Sequence, residues 1–399
     1  NWVPIDEPIA FSRIMQYPGQ LTSRGYAPPA VHLPMGVAPD LYMVGSGGLD
    51  VNLKYRYTKP EGGDQAQLRM RINNYLIDSV NLSNQSSSGE REMHLPSFNG
   101  PLATSPSEAL ALAAQNDLSF EVVYRRELSE GSPDNCKSVV LLPHQMEIDP
   151  SSTLTLNGLF HYAEMPNLTL FTQSAYPYSV YADLSRTVAV IPKEASAEKV
   201  TTLLNTTARI ASETGAVATK LTVVDQASEE VISGKDVLLI GEMPITLPDF
   251  KKDNAEELQQ AVANTLQGED VLQSEEVLFS PEGGVGAIVS LQSPFDSDRT
   301  VVALLSEGSS GSYLLNQQLM SPSSMATVEG SVVIINEQDV VSFQVGDTYT
   351  IGDLPWYQKI WQTMSNYPLL LVLCALVCAV LVGTGIFYFM RLWVRGRAR

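Results

Sequence analysis

The sequence predicts an α+β multidomain chain: an antiparallel β-sandwich, then a flavodoxin-like α/β domain, an amphipathic interfacial helix and one C-terminal transmembrane helix. Three observations predict it. Up to about residue 183, apolar and polar residues alternate with period two. Short apolar runs then alternate with helical repeats as far as residue 352. Last, the polar but aromatic stretch DLPWYQKIWQTMSN precedes a run without charge, Pro368 to Met390.

The first domain is placed at residues 1–183. VNLKYRY sets Val51, Leu53, Tyr55 and Tyr57 against polar neighbours, and AQLRMRI sets Leu68, Met70 and Ile72 against Arg69 and Arg71. LSFEVVYRREL and STLTLNGLFHYAEM repeat the pattern. One polar and one apolar face per segment means half-buried strands. The linkers VGSGG, KPEGGD, SNQSSSGE and SEGSPDN are turn-rich, which points to an antiparallel sandwich. SPSEALALAAQ (105–115) predicts one short helix, capped by Ser105 or Ser107.

The second domain is placed at 184–352. RTVAVIP reads as a strand. SAEKVTTLLNTTARIASETG puts Val200, Leu203, Leu204, Ala208 and Ala211 at helical spacing, with Ser196 as N-cap and Gly215 as stop. KLTVVD and GKDVLLIG add strands, NAEELQQAVANTLQ a helix, AIVSLQS and TVVALLSE strands, and SGSYLLNQQLM a helix. SVVIINEQDVVSFQV closes the domain. This alternation predicts a largely parallel, doubly wound sheet covered on both faces.

Such a fold invites a nucleotide, but its site is missing from the sequence. A phosphate cradle needs glycines after a strand and before a helix. KEASAEK follows TVAVIP without a glycine, and PEGGVG (281–286) precedes a strand, as a turn does. No Walker motif is present. His32, His94, His144 and His161 lack metal-ligand spacing, and no GxSxG or Cys/His constellation occurs, so no catalytic or metal-binding residue is assigned. For the sandwich, sugar binding is the better-motivated chemistry, because flat rings cover pyranose faces. The available aromatics are Trp2, Tyr42, Tyr75, Tyr176 and Tyr178. Cys136 stands alone ahead of the span that holds Cys374 and Cys378, so the outer part forms no internal disulfide; Cys136 pairs with a preceding segment or stays a free thiol.

Residues 353–366 predict the interfacial helix. On a helical projection Trp356, Tyr357, Ile360, Trp361, Met364 and Tyr367 share one arc, and Gln358, Lys359, Gln362, Thr363, Ser365 and Asn366 fill the rest. Asp353 can cap this helix, Pro355 suits its first turn, and Pro368 separates it from the span. Trp356, Tyr357, Ile360, Trp361 and Met364 are the expected membrane-interface residues. The span is placed at 367–391, and its charge-free run, Pro368 to Met390, is long enough for a bilayer at roughly 35 Å. Within it Ala375, Ala379 and Gly383 recur every four residues and offer a face for a partner helix.

Arg391, Arg395, Arg397 and Arg399 mark the tail, 392–399, as cytoplasmic, and all 44 acidic residues precede the span. The net charge of −19 repels nucleic acid and excludes it as a partner. The bulk must then cross a membrane, yet the sequence starts at Asn1 without a signal; the expectation is a piece of a longer precursor.

The junction EMPNLTLFTQSAYPYSVYADLSRTVAVIP resembles the periplasmic B subunit of bacterial cellulose synthase. Pro166, Asn167, Leu168, Phe171, Pro177, Tyr178, the run Ala182 to Ser185, and Thr187 carry the likeness. The opening NWVPIDEPIAFSRI and the tryptophan-rich terminal helix are similar too. The resemblance implies a jelly-roll, carbohydrate-binding-like sandwich and the second of two such domain pairs. It implies a non-catalytic regulatory and structural role in the cell inner membrane, single-pass, with the bulk periplasmic and the C-terminus cytoplasmic. The implied partners are the catalytic subunit, nascent cellulose (β-1,4-glucan) guided through the periplasm, and further copies of the chain. An older family description is cyclic di-GMP binding. The Arg-rich RxxxR…[DN]xSxxG sensor pattern is absent here, so no cofactor is expected and cyclic di-GMP acts through the catalytic partner. The alternatives from the residues are a stand-alone tail-anchored carbohydrate-binding or adhesion module, and a periplasmic hydrolase.

Overall fold

In VNLKYRY the structure buries Val51, Leu53, Tyr55 and Tyr57 and turns Asn52, Lys54 and Arg56 outward, as the alternation requires. The computed structural model describes residues 2–61, 64–96, 114–125, 142–225, 228–243, 255–266 and 284–359, with 372, 376, 379–387 and 390 of the C-terminal segment. The expected helix at 105–115 lies outside the described residues except at its end, where Gln115 opens a strand.

The sandwich contains β1 (Ile9–Ala10), β2 (Thr22–Gly25), β3 (Val31–Gly36), β4 (Leu41–Tyr57), β5 (Gln65–Ile72), β6 (Tyr75–Leu82), β7 (Ser88–Pro96), β8 (Gln115–Arg125), β9 (His144–Ile148) and β10 (Thr153–Met165). In the larger sheet β4 is central. It pairs with β7 along one side and with β9 and then β10 along the other, all antiparallel. β9 and β10 therefore act as one long strand interrupted at 149–152. The break is bridged at Lys54, whose carbonyl accepts from Asp149 N at 2.8 Å and whose N–H donates to Ser152 Oγ at 3.0 Å. The smaller sheet runs β3-β8-β5-β6. Between the sheets lie Leu33, Leu49, Leu53, Met70, Ile72, Leu118, Phe120, Leu154 and Leu156. Each such side chain contributes about 1.5–3 kcal/mol by leaving water. Phe11, from the short helix α1 (Phe11–Ile14), closes one end with its ring 5.9 Å from that of Phe120.

The α/β domain has β11 (Thr187–Val190), β12 (Thr222–Val224), β13 (Asp236–Glu242), β14 (Gly286–Ser293), β15 (Asp296–Ser306), β16 (Val332–Ile335) and β17 (Val340–Phe343). Their order is β12-β11-β13-β15-β14-β16-β17. The expected largely parallel sheet holds for the first four strands only. β14 is antiparallel to both neighbours, and β17 is antiparallel to β16. The connections from β14 to β15 and from β16 to β17 are too short for a crossover, so each pair folds as a hairpin. Their apolar runs look like parallel strands because both faces are covered.

Helices α3 (Ala197–Thr214) and α6 (Gly308–Met320) cover one face of this sheet, α4 (Glu229–Ile232) and α5 (Ala255–Leu266) the other. α3 begins after Ser196 and ends at Gly215 in the left-handed region, as the sequence predicts. Its buried face differs from the expected one. Thr202, Thr206, Ile210 and Thr214 point inward, whereas Val200 is exposed and Leu204 is 61% exposed. The inward hydroxyls donate to carbonyls one turn back, Glu198, Thr202 and Ile210, which makes threonine tolerable in the core.

The junction belongs to the α/β domain. α2 (Leu168–Ser174), Ala175, Tyr178 and Leu184 pack with Leu238, Ile240, Val302 and Leu304. The seam between the two domains thus falls near Pro166 and not at residue 183. After the α/β domain, β18 (Tyr349–Gly352) returns and pairs antiparallel with the end of β10.

Residues 356–359 form one helical turn, and 379–387 are helical. Among the described residues no helix is long and apolar enough to cross a membrane. Most of the expected span, with Ala375 and both of its cysteines, lies outside the described residues, as does Cys136.

Candidate functional site

β18 ties the segment that follows the α/β domain to both domains. Tyr162 is in register with Gly352, and Met165 with Tyr349. Thr348 Oγ1 donates to Glu164 Oε1 at 2.9 Å. The Tyr349 hydroxyl lies 2.8 Å from Thr300 Oγ1 on β15. Beside it, Thr300 N donates to Asp236 Oδ1 at 3.0 Å, and Arg299 reaches Oδ2 at 3.5 Å. Burial pushes the Asp236 carboxyl up to about 6, against the pull of these donors, and burial also raises the Tyr349 hydroxyl.

Two residues beyond β18, Leu354 is buried. Trp356 and Tyr357 then stand out at 74% and 53% exposure, their rings edge-on with centroids 6.1 Å apart. Gln358 N and Lys359 N donate to the Pro355 carbonyl and start the helix. The other expected interface residues, Ile360, Trp361 and Met364, lie outside the described residues. Ala379 and Gly383 fall in the helical segment, both exposed.

The five aromatics proposed for sugar contact do not form one platform. Tyr176 and Tyr178 are 2% and 1% exposed and cannot present a ring to a polymer. The Tyr178 hydroxyl donates to Val237 O at 2.7 Å and accepts from Val302 N at 3.2 Å, so it belongs to the α/β sheet. Tyr176 fills the seam with Ala163 and Met165. The sequence offers both as rings for a sugar face; the structure buries them, Tyr178 in the α/β core and Tyr176 where the two domains meet. Trp2 is half-buried, and its indole N–H donates to Ser179 O at 3.0 Å, tying the N-terminal residues to the junction. Tyr42 is half-buried, edge-on to Tyr162 at 5.5 Å. Tyr75 is 78% exposed at the β5–β6 turn, on the other sheet.

A different surface emerges on the outer face of the larger sheet. Register places Thr155, Asp50 and His94 in one row across β10, β4 and β7, and Thr153, Asn52 and Glu92 in the next. Asp50 accepts from Asn157 and pairs with His94 Nδ1, so both its oxygens are fixed. These rows line a hollow of about 450 Å³. Further along β4, Lys54 pairs with Glu90 at 3.7 Å, and Arg56 is in register with Ser88 and Glu147. Around Arg56, with Thr58, Ser87, Gln145 and Glu147, lies a second hollow of about 330 Å³. Three of the four histidines, on β3, β7 and β10, pair with aspartates: His32 with Asp117, His94 with Asp50 and His161 with Asp40. The fourth, His144, stacks on Tyr124 at 3.7 Å. Among the described residues no group of three or more His, Cys, Asp or Glu could hold a metal ion.

The polar rows are within reach of the sequence, since they occupy the alternate positions of DVNLKYRY, REMH and TLTLN. Which alternate positions share a row depends on strand register, and register is not in the alternation.

Two family profiles match the chain: cellulose synthase BcsB, second CBM domain, over residues 8–153, and cellulose synthase BcsB, second FD domain, over residues 161–304. Along its whole length the chain is 33% identical to proteins named cyclic di-GMP-binding protein in Salmonella typhi and Escherichia coli (strain K12), covering 54% and 53% of them. It is also 27% identical, over 98% of its own length, to a protein named cellulose synthase 2 in Novacetimonas hansenii, covering 26% of that chain. The chain spans about half the length of the first two relatives.

Proposed function

Because the chain belongs to the cellulose synthase BcsB family, we propose that it serves as a non-catalytic structural and regulatory subunit of an inner-membrane cellulose synthase. In this reading it holds a glucan-handling sandwich at the periplasmic membrane surface, beside the catalytic subunit that makes the polymer. The observation that carries the reading is the return of β18 to β10. The last strand before the aromatic turn is hydrogen-bonded to the sandwich and braced against the α/β sheet through Tyr349. A membrane attachment at 353–366 would therefore set the orientation of both domains and not merely tether them.

The exposed Trp356 and Tyr357 support an interfacial position for that attachment, since such rings favour headgroup depth. The span 368–390 would cross the inner membrane and pack on the catalytic subunit, leaving the arginine tail in the cytoplasm. Cyclic di-GMP, which the relatives' names mention, would act through the catalytic partner. Equilibrium dialysis of the chain alone against the labelled nucleotide should detect no binding; saturable binding would overturn that part.

The test of the whole is incorporation of glucose from UDP-glucose by the co-expressed pair. Deleting residues 353–399 should abolish synthesis, and full activity of the deletion would overturn the proposal. Co-purification of the intact pair through detergent separates this role from that of a stand-alone adhesion module.

A further inference from the structure

We propose that the outer face of the larger sandwich sheet is a binding track for one extended, uncharged polysaccharide strand, gripped by hydrogen bonds along its edge and not by ring stacking. The track starts at the Asp50–His94 hollow and runs along β4 to the Arg56 hollow. Asp50 and Arg56 are six residues apart, roughly 20 Å along a strand, so the track accommodates several sugar units.

The rows carry hydrogen-bonding capacity that the protein does not use. Asn52, Glu92, Thr153 and Thr155 border the first hollow, and none of these side chains has a hydrogen-bond partner among the described residues. Asn52 is the most telling, since its Oδ1 is enclosed and unpaired, a state that native side chains usually avoid. Rotation of that amide would bring the oxygen to the surface, where a ligand hydroxyl can donate to it. Asp50 is meanwhile held rigid by His94 and Asn157. Sugar hydroxyls both donate and accept, which suits a row of carboxylates, an amide and threonine hydroxyls.

The same face argues against other occupants. The outward positions of β4 along the track are Asp50, Asn52, Lys54 and Arg56, so there is no ring for the flat side of a sugar. Lys54 is paired with Glu90, and Arg56 faces Glu147, so a polyanion finds little unpaired positive charge on a chain of net −19.

The choice of probe rests on the glucan-handling reading above. Titration calorimetry of the full chain in detergent should show cellohexaose binding at least about tenfold tighter than cellobiose, as expected when contacts add along a track. The double substitution Asn52→Ala with Thr153→Val should weaken cellohexaose binding by about tenfold or more with an unchanged melting temperature. Glu92→Gln, which retains an acceptor, should bind better than Glu92→Ala. Equal binding of cellobiose and cellohexaose, or full binding by the double variant, would overturn the track. If the wild-type chain ignores cellohexaose while deletion of 353–399 still abolishes synthesis, the track fails and the subunit reading stands. If cellohexaose binds as expected while that deletion leaves synthesis intact, the track stands and the subunit reading fails.

Discussion

The hydroxyls of Thr300 and Tyr349 lie 2.8 Å apart, one from β15 inside the α/β sheet, the other from β18, which is paired to the sandwich. This contact joins three parts of the chain at the point where it leaves for its C-terminal helix.

Gly352 makes that arrangement sterically sensitive. Its φ is +99°, and a Cβ there would collide with the His161 carbonyl on β10. Gly352→Ala should cost about 2–3 kcal/mol in urea unfolding and speed proteolysis between residues 343 and 359. Tyr349→Phe removes only the hydroxyl contact and should cost about 1 kcal/mol.

Tyr178 should behave as a core residue and not as a sugar platform. Tyr178→Phe leaves Val237 O and Val302 N without the hydroxyl between them and should cost about 1–3 kcal/mol. Tyr75→Ala, at an exposed turn, should stay within about 0.5 kcal/mol. Chemical denaturation of the two variants side by side checks the contrast.

Asp236 gives the seam a pH dependence of definite sign. Its folded-state pKa of about 6 lies above the ordinary 3.8, chiefly through burial. Between those values the folded chain binds more protons than the unfolded one, so stability falls as pH rises from about 4 to about 6. Asp236→Asn keeps an acceptor for Thr300 N and removes the ionisation. Thermal melts across that range should show a flatter profile for the variant than for the wild type.

His161 should titrate above its ordinary 6.5. The hydrogen bond that Nδ1 donates to the Asp40 carboxylate, at 3.0 Å, outweighs the opposing effect of burial. Its contribution to stability is therefore complete below 6.5 and is lost as pH rises through the folded-state value. An NMR titration should find the His161 pKa lowered in Asp40→Asn.

Much of the architecture is legible from local pattern. Alternation identified the strands of VNLKYRY and AQLRMRI because one face is wet and the other dry. Ser196 and Gly215 bounded α3 because helix ends need special backbone geometry, which few residue types favour. The inward face of the same helix is not legible from its apolar spacing, since three threonines hide their hydroxyls on its own backbone and Leu204 is left outside. Periodicity counts apolar residues and cannot see a hydroxyl that is already satisfied.

What the sequence by itself determined is the order of the parts: a two-faced β region, an α/β region, an aromatic turn and a charge-free segment. It also carried the family through the junction residues. Tertiary structure alone decided that β14 and β17 run backwards, that Tyr176 and Tyr178 are buried, and that Asp50, Asn52 and their neighbours share one face. It alone decided that β18 returns to β10. Each of these depends on pairing between residues far apart in the chain, and burial pattern fixes which face of a strand is dry without naming its neighbour.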